Sequence, residues 1–111
     1  MLDFYLGTGG IENPGKHLGG LSAESIYWLQ KNGLLEMGVT GHLPEDAPES
    51  LPYYDDVVLD PEQVEKIYDN FKVKVQYIRQ TPGFRREHVD TLERILTEAI
   101  KFNIGLSTIA D

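Results

Sequence analysis

Apolar side chains recur at helical spacing in two long stretches of the chain. Val64, Ile67, Phe71, Val75 and Ile78 fall on one helical face, and Val89, Leu92, Ile95, Leu96, Ala99 and Ile100 fall on another. The first stretch also fits a strand, because Phe71, Val73, Val75 and Tyr77 alternate. Helix is the better reading of residues 71–79, since it accounts for five apolar positions and continues a strongly signalled start, and it should run to about Gln80. Thr81-Pro82-Gly83 breaks the chain between the two stretches. Two long amphipathic helices joined so tightly should pack antiparallel. An Asp90–Arg94 pair is expected on the outer face of the second, and His88 on its polar side.

The start of the first long helix is written in Asp60-Pro61-Glu62-Gln63. Asp60 can accept from the unpaired backbone N–H groups of the first turn, and Pro61 at the first helical position sacrifices no hydrogen bond. Gln63 can reach back to the cap residue, and Leu59 with Val64 makes a hydrophobic staple. Upstream, residues 53–59 (YYDDVVL) read as a strand leading into this helix, and residues 40–52, with three prolines, as an irregular loop.

At the N-terminal side, residues 2–6 (LDFYL) read as a short strand that ends at Gly7-Thr8-Gly9-Gly10. Residues 11–20 read as a glycine-rich loop with a turn at Pro14-Gly15. Ser22 is a helix cap, Leu21 and Ile26 have staple spacing, and a helix is expected from Ala23 to Asn32 with Gly33 as its left-handed stop. Leu106–Ala110 can return as a strand after Asn103 and Gly105. The expected fold is α+β. It is a single domain over residues 1–111 with an antiparallel C-terminal helix hairpin, one N-terminal helix and a few short strands. The helix hairpin alone is marginal, so the N-terminal strand and first helix should close the core.

Length and composition narrow the function. A chain of 111 residues supports one core, and none of its residues is cysteine, which removes thiolate metal sites, thiol nucleophiles and disulfides. No apolar run reaches membrane-spanning length, and the first residues lack the basic and apolar regions of a signal peptide, so a cytoplasmic protein is expected. The formal net charge is −8, which argues against nucleic acid as a direct ligand. The excess sits in the middle of the chain. Residues 32–65 hold nine acids (Glu36, Glu45, Asp46, Glu49, Asp55, Asp56, Asp60, Glu62 and Glu65) and no lysine or arginine. Such a run is either a solvated surface or one shaped for a cationic partner.

Few residues carry a recognisable chemistry. Gly10-Ile-Glu-Asn-Pro-Gly15-Lys16-His17 approaches the phosphate-binding pattern GxxxxGK[ST], but His17 stands where a magnesium-binding hydroxyl is needed, and Leu18-Gly19-Gly20 should prevent the receiving helix. His17 and His42 both lie in glycine-containing segments and could meet with a carboxylate, so the alternative reading is a small ligand- or metal-binding domain or enzyme that uses the glycine-rich loop with His17 and His42. Adjacent carboxylates such as Asp55–Asp56 are poorly placed for acid–base catalysis, because neighbours on a strand point to opposite faces. The expectation is therefore a protein that is not an enzyme and needs no cofactor. Tyr53 and Tyr54 beside Asp55 and Asp56 have the make-up of an interface anchor, with rings that bury area at low entropic cost and acids that steer a basic partner. Glu45, Asp46, Glu49, Tyr53, Tyr54, Asp55 and Asp56 are the candidate partner-binding residues. Tyr27 and Trp28 pose the same question on the first helix, and at least one of them should belong to the core.

The stretch YYDDVVLDPEQVEKIY, with TPGFRREHVDTLERILTEAIKFNIGLSTIAD after it and LDFYLGTGGIENPGKHLGGLS at the start, resembles the immunity proteins of bacterial contact-dependent growth inhibition and polymorphic toxin systems. The resemblance covers most of the chain and rests on size, acidity and order of elements. It implies a cytoplasmic inhibitor that binds the toxin domain of a cognate effector, in many cases a basic nuclease. It assigns no binding residue, so the candidate positions come from charge alone.

Overall fold

A computed structural model of the chain describes residues 1–36, 51, 53 and 55–110. The order of elements is β1 (Leu2–Leu6), β2 (Lys16–Leu21), α1 (Ala23–Lys31), β3 (Val57–Leu59), α2 (Pro61–Ile78), α3 (Arg86–Phe102) and β4 (Leu106–Ala110), with a 3-10 turn at Gly10–Glu12. The α+β architecture, with its helix hairpin, single N-terminal helix and short strands, is the one expected from the pattern.

The strands form one antiparallel sheet in the order β2-β1-β4-β3. Its register assigns the side chains to two faces. Leu2 lies between Leu21 and Ala110, Phe4 between Gly19 and Thr108, and Leu6 opposite Leu106, which in turn faces Leu59. This is the core face, where Leu2, Phe4, Leu21, Leu59 and Leu106 are all buried. The helices pack on this face, with Ile95 of α3 standing over Gly19. They add Ile26 and Leu29 from α1, Val64, Ile67 and Phe71 from α2, and Leu92, Ile95 and Leu96 from α3.

The helix signals act as read. Ser22 Oγ accepts from the Ser25 backbone N–H, and Gly33 takes a φ of 71° just past the end of α1. At α2 the capping box is complete, with Asp60 Oδ1 accepting from Gln63 N at 2.8 Å and Gln63 Oε1 accepting from Asp60 N at 2.9 Å. The periodic stretch 71–79 is helical, and α2 ends at Ile78, two residues before the expected Gln80. Arg79 reaches Glu93 at 3.6 Å, while Pro61 and Tyr68 share a groove with Ile100 and Ile104. The end of α2 thus meets the start of α3, and the start of α2 meets the end of α3, which makes the pair antiparallel.

Four sequence expectations need correction. Residues 11–20 are not one loop, because Lys16–Leu21 pairs with β1 as an edge strand. Gly19 there takes a φ of 155°, which favours glycine, and a Cβ on Gly20 would push aside the side-chain ends of Asp3 and Met1. The strand expected over 53–59 shrinks to Val57–Leu59, leaving Tyr53, Asp55 and Asp56 in irregular chain, so the strand argument that sets Asp55 and Asp56 on opposite faces does not apply. Asp90 pairs with Arg86, one turn back, at 3.4 Å instead of with Arg94. His88 is buried, not on the polar side of α3. The expected loop over 40–52 lies outside the described residues except for Leu51, which is buried and donates its N–H to Leu35 O.

Candidate functional surfaces

The acidic stretch enters the described structure as Tyr53, Asp55 and Asp56, and Glu45, Asp46, Glu49 and Tyr54 lie outside the described residues. Tyr53 is half-buried and packs against the core. Asp55 and Asp56 are exposed. Asp56 also has a structural duty, for its Oδ1 accepts from Ala110 N at 2.7 Å and ties the segment before β3 to the last residue of β4. Further along, Asp60, Glu62 and Glu65 are exposed as well, and Lys66 is the first base, paired with Glu62 at 3.3 Å. Glu36 differs from these acids, being half-buried and held by Lys74 at 2.9 Å.

His17 is not in a loop. It stands on β2 opposite Tyr5, with Nε2 3.0 Å from Asp3 Oδ1 and its ring edge-on to Tyr5 at 5.1 Å between centroids. The anticipated partner His42 lies outside the described residues. Asp3, Tyr5 and His17 thus form a cluster on the sheet face opposite the helices. A lone carboxylate can orient one histidine, but among the described residues no three His, Asp or Glu side chains gather as a metal site requires. Lys16 and His17 continue as a strand, so the phosphate-loop-like segment has no helix N-terminus behind it.

A second polar pair was not foreseen from sequence. Ser25 Oγ and His88 Nδ1 lie 2.7 Å apart in the interior, and Ser22 donates its hydroxyl to Ser25 Oγ at 3.1 Å. His88 Nε2 is buried with no hydrogen-bond partner, and Glu87 Oε1 stands 4.0 Å away. Trp28 lies beside the imidazole at 5.9 Å and also meets Phe84 edge-on at 6.2 Å. A serine next to a histidine invites a nucleophile reading. Ser25 and His88 are only 6% and 8% exposed, however, so no substrate atom can approach the hydroxyl. The pair joins α1 to α3. The sequence did hold a signal, because His88 precedes Leu92 by four residues and Ile95 by seven, on the buried stripe of α3. Of the two aromatics on α1, Trp28 turns toward the core and Tyr27 is 68% exposed.

The chain matches no family model, no curated protein and no solved structure. No helix among the described residues is long and apolar enough to cross a membrane.

Proposed function

We propose that the chain is an inhibitor of the immunity-protein type, which binds a basic toxin domain through an acidic surface. The observation that supports this most directly is the exposure of Asp55, Asp56, Asp60, Glu62 and Glu65 within eleven residues that contain no lysine or arginine. In an isolated fold such a run is self-repelling, and a cationic partner relieves it. Carboxylates of this kind raise the association rate and choose the partner, and apolar contacts supply most of the affinity. In the cell the inhibitor would hold a toxin produced by the same strain, and its acids would occupy positions that a nuclease keeps for phosphate.

The test is capture from a lysate of the source strain on the immobilised chain, at low and at moderate salt, followed by mass spectrometry. The reading expects one basic toxin fragment in stoichiometric complex, whose activity is lost on binding. A lysate shown to contain a candidate toxin that yields no complex at either salt would overturn it.

A further inference from the structure

All three helices lie on one side of the sheet, and the register places Asp3 and Tyr5 of β1, His17 of β2, Val58 of β3, and Ser107 and Ile109 of β4 on the other. The 3-10 turn covers only one end of that side. Gly10 N donates to Ser107 Oγ, Ser107 Oγ donates to Gly7 O, and a Cβ on Gly10 would lie 3.5 Å from Val58. Among the described residues the remainder is open. A solvent-facing side of an antiparallel sheet ordinarily carries polar residues in alternation with the core residues. Here, beside the polar Asp3, His17 and buried Ser107, the outward positions include Val58, 48% exposed, and the half-buried Ile109 and Tyr5, with Ile11 next to them on the turn, 62% exposed.

Charge around this apolar centre is one-sided. Asp3 lies on the face, Glu12 on the turn, and Asp55 and Asp56 at its border, where Asp56 binds the end of β4 next to Ile109. Lys16 is the one lysine or arginine in the four strands. Two other apolar patches carry both charges. Val73 and Tyr77 stand on α2, where Lys72 pairs with Asp69 and Arg79 with Glu93, and the groove at Tyr68 and Ile104 has both Glu65 and Lys72 on its walls.

We propose that the open face of the sheet is the docking surface, and that its occupant is a protein surface presenting an apolar side chain flanked by Lys or Arg. This rests on the basic-partner reading above and extends it, moving the centre of the contact from the acidic stretch to Tyr5, Val58 and Ile109, with Asp55 and Asp56 at the rim. An apolar centre inside a charged rim is the arrangement in which anchoring residues are desolvated and the charges steer.

The experiment is an NMR titration of the isotope-labelled full chain with acetyl-Arg-Trp-Arg-amide at low salt. Saturable shifts are expected at Asp3, Tyr5, His17, Val58 and Ile109, and Val58→Lys should weaken binding about tenfold by setting a like charge at the centre. Val73→Lys, on the far side, should bind like the parent. Ile11→Lys, on the surface turn, serves the same purpose should Val58→Lys fail to fold. Shifts centred on Val73 and Tyr77 or on Ile104, absence of saturation, or undiminished binding by the lysine variants would overturn the proposal. Each of those outcomes leaves the inhibitor reading to be decided by the capture experiment, which does not depend on where the contact lies.

Discussion

Ser25 and His88, sixty-three residues apart in sequence, meet through a 2.7 Å contact between Oγ and Nδ1 in the interior. The bond sets α1 against α3, with Trp28 packed beside the imidazole. Ser25→Ala removes the one partner of a buried ring that already leaves Nε2 unpaired, and should cost about 1–3 kcal/mol of stability. Replacing both residues, Ser25→Ala with His88→Leu, should cost less than the sum of the two single changes, because no buried polar atom is left stranded. Urea unfolding of the four proteins in the cycle measures this, and strict additivity would show the bond to carry nothing.

At the start of α2 the expectation is more local. Asp60→Ala removes the Oδ1 that accepts from Gln63 N, leaving only the bond from the backbone N–H of residue 60 to Gln63, and should lower stability by about 1 kcal/mol, read as a fall in the urea midpoint with an unchanged slope. Gln63→Ala, which keeps the aspartate bond to the helix N-terminus, should do less.

Phe71 tests whether the hairpin and the sheet share one core. Its side chain is 1% exposed in the same buried cluster as Phe4 and Leu92. Phe71→Ala should cost about 3–5 kcal/mol, a large part of the stability of a domain this size. Loss should appear together in far-ultraviolet circular dichroism and in Trp28 fluorescence, since Trp28 packs against the same cluster. Two separate transitions would mean that α2 and α3 unfold apart from the rest.

These residues also show what a linear reading can and cannot recover. The helices were legible because their information is local. Asp60 to Gln63 cap themselves within one turn, and the apolar residues from Val64 to Val75 repeat at the period of the backbone they build. β2 was not, since Lys-His-Leu-Gly-Gly-Leu has the composition of a loop and becomes a strand only through β1, fifteen residues away in chain. Of the glycines that disguise it, Gly19 takes a φ of 155° that side chains rarely adopt, and Gly20 lies against Asp3 and Met1. A histidine reads as polar in sequence, although the spacing of His88 from Leu92 marks it as buried. The charged surface was visible in composition alone. The open sheet face was not, because which of Val57 and Val58 points outward depends on the register with Ser107 and Thr108.

Asp55 and Asp56 offer the most direct link from this surface to function. Asparagine is the right replacement at Asp56, for its amide oxygen can still accept from Ala110 N and so preserve the junction with β4. The double variant Asp55→Asn/Asp56→Asn should therefore unfold at the parent's urea midpoint. Against the captured basic partner it should bind about tenfold more weakly at low salt, chiefly through slower association, because two carboxylates at the rim steer more than they hold. Raising ionic strength screens both proteins, so parent and variant should converge as salt increases. Surface plasmon resonance across a salt series measures rates and affinity together. A variant with the parent's association rate at every salt would remove Asp55 and Asp56 from the contact, and a variant whose loss is all in dissociation would mark them as buried contacts instead of rim charges.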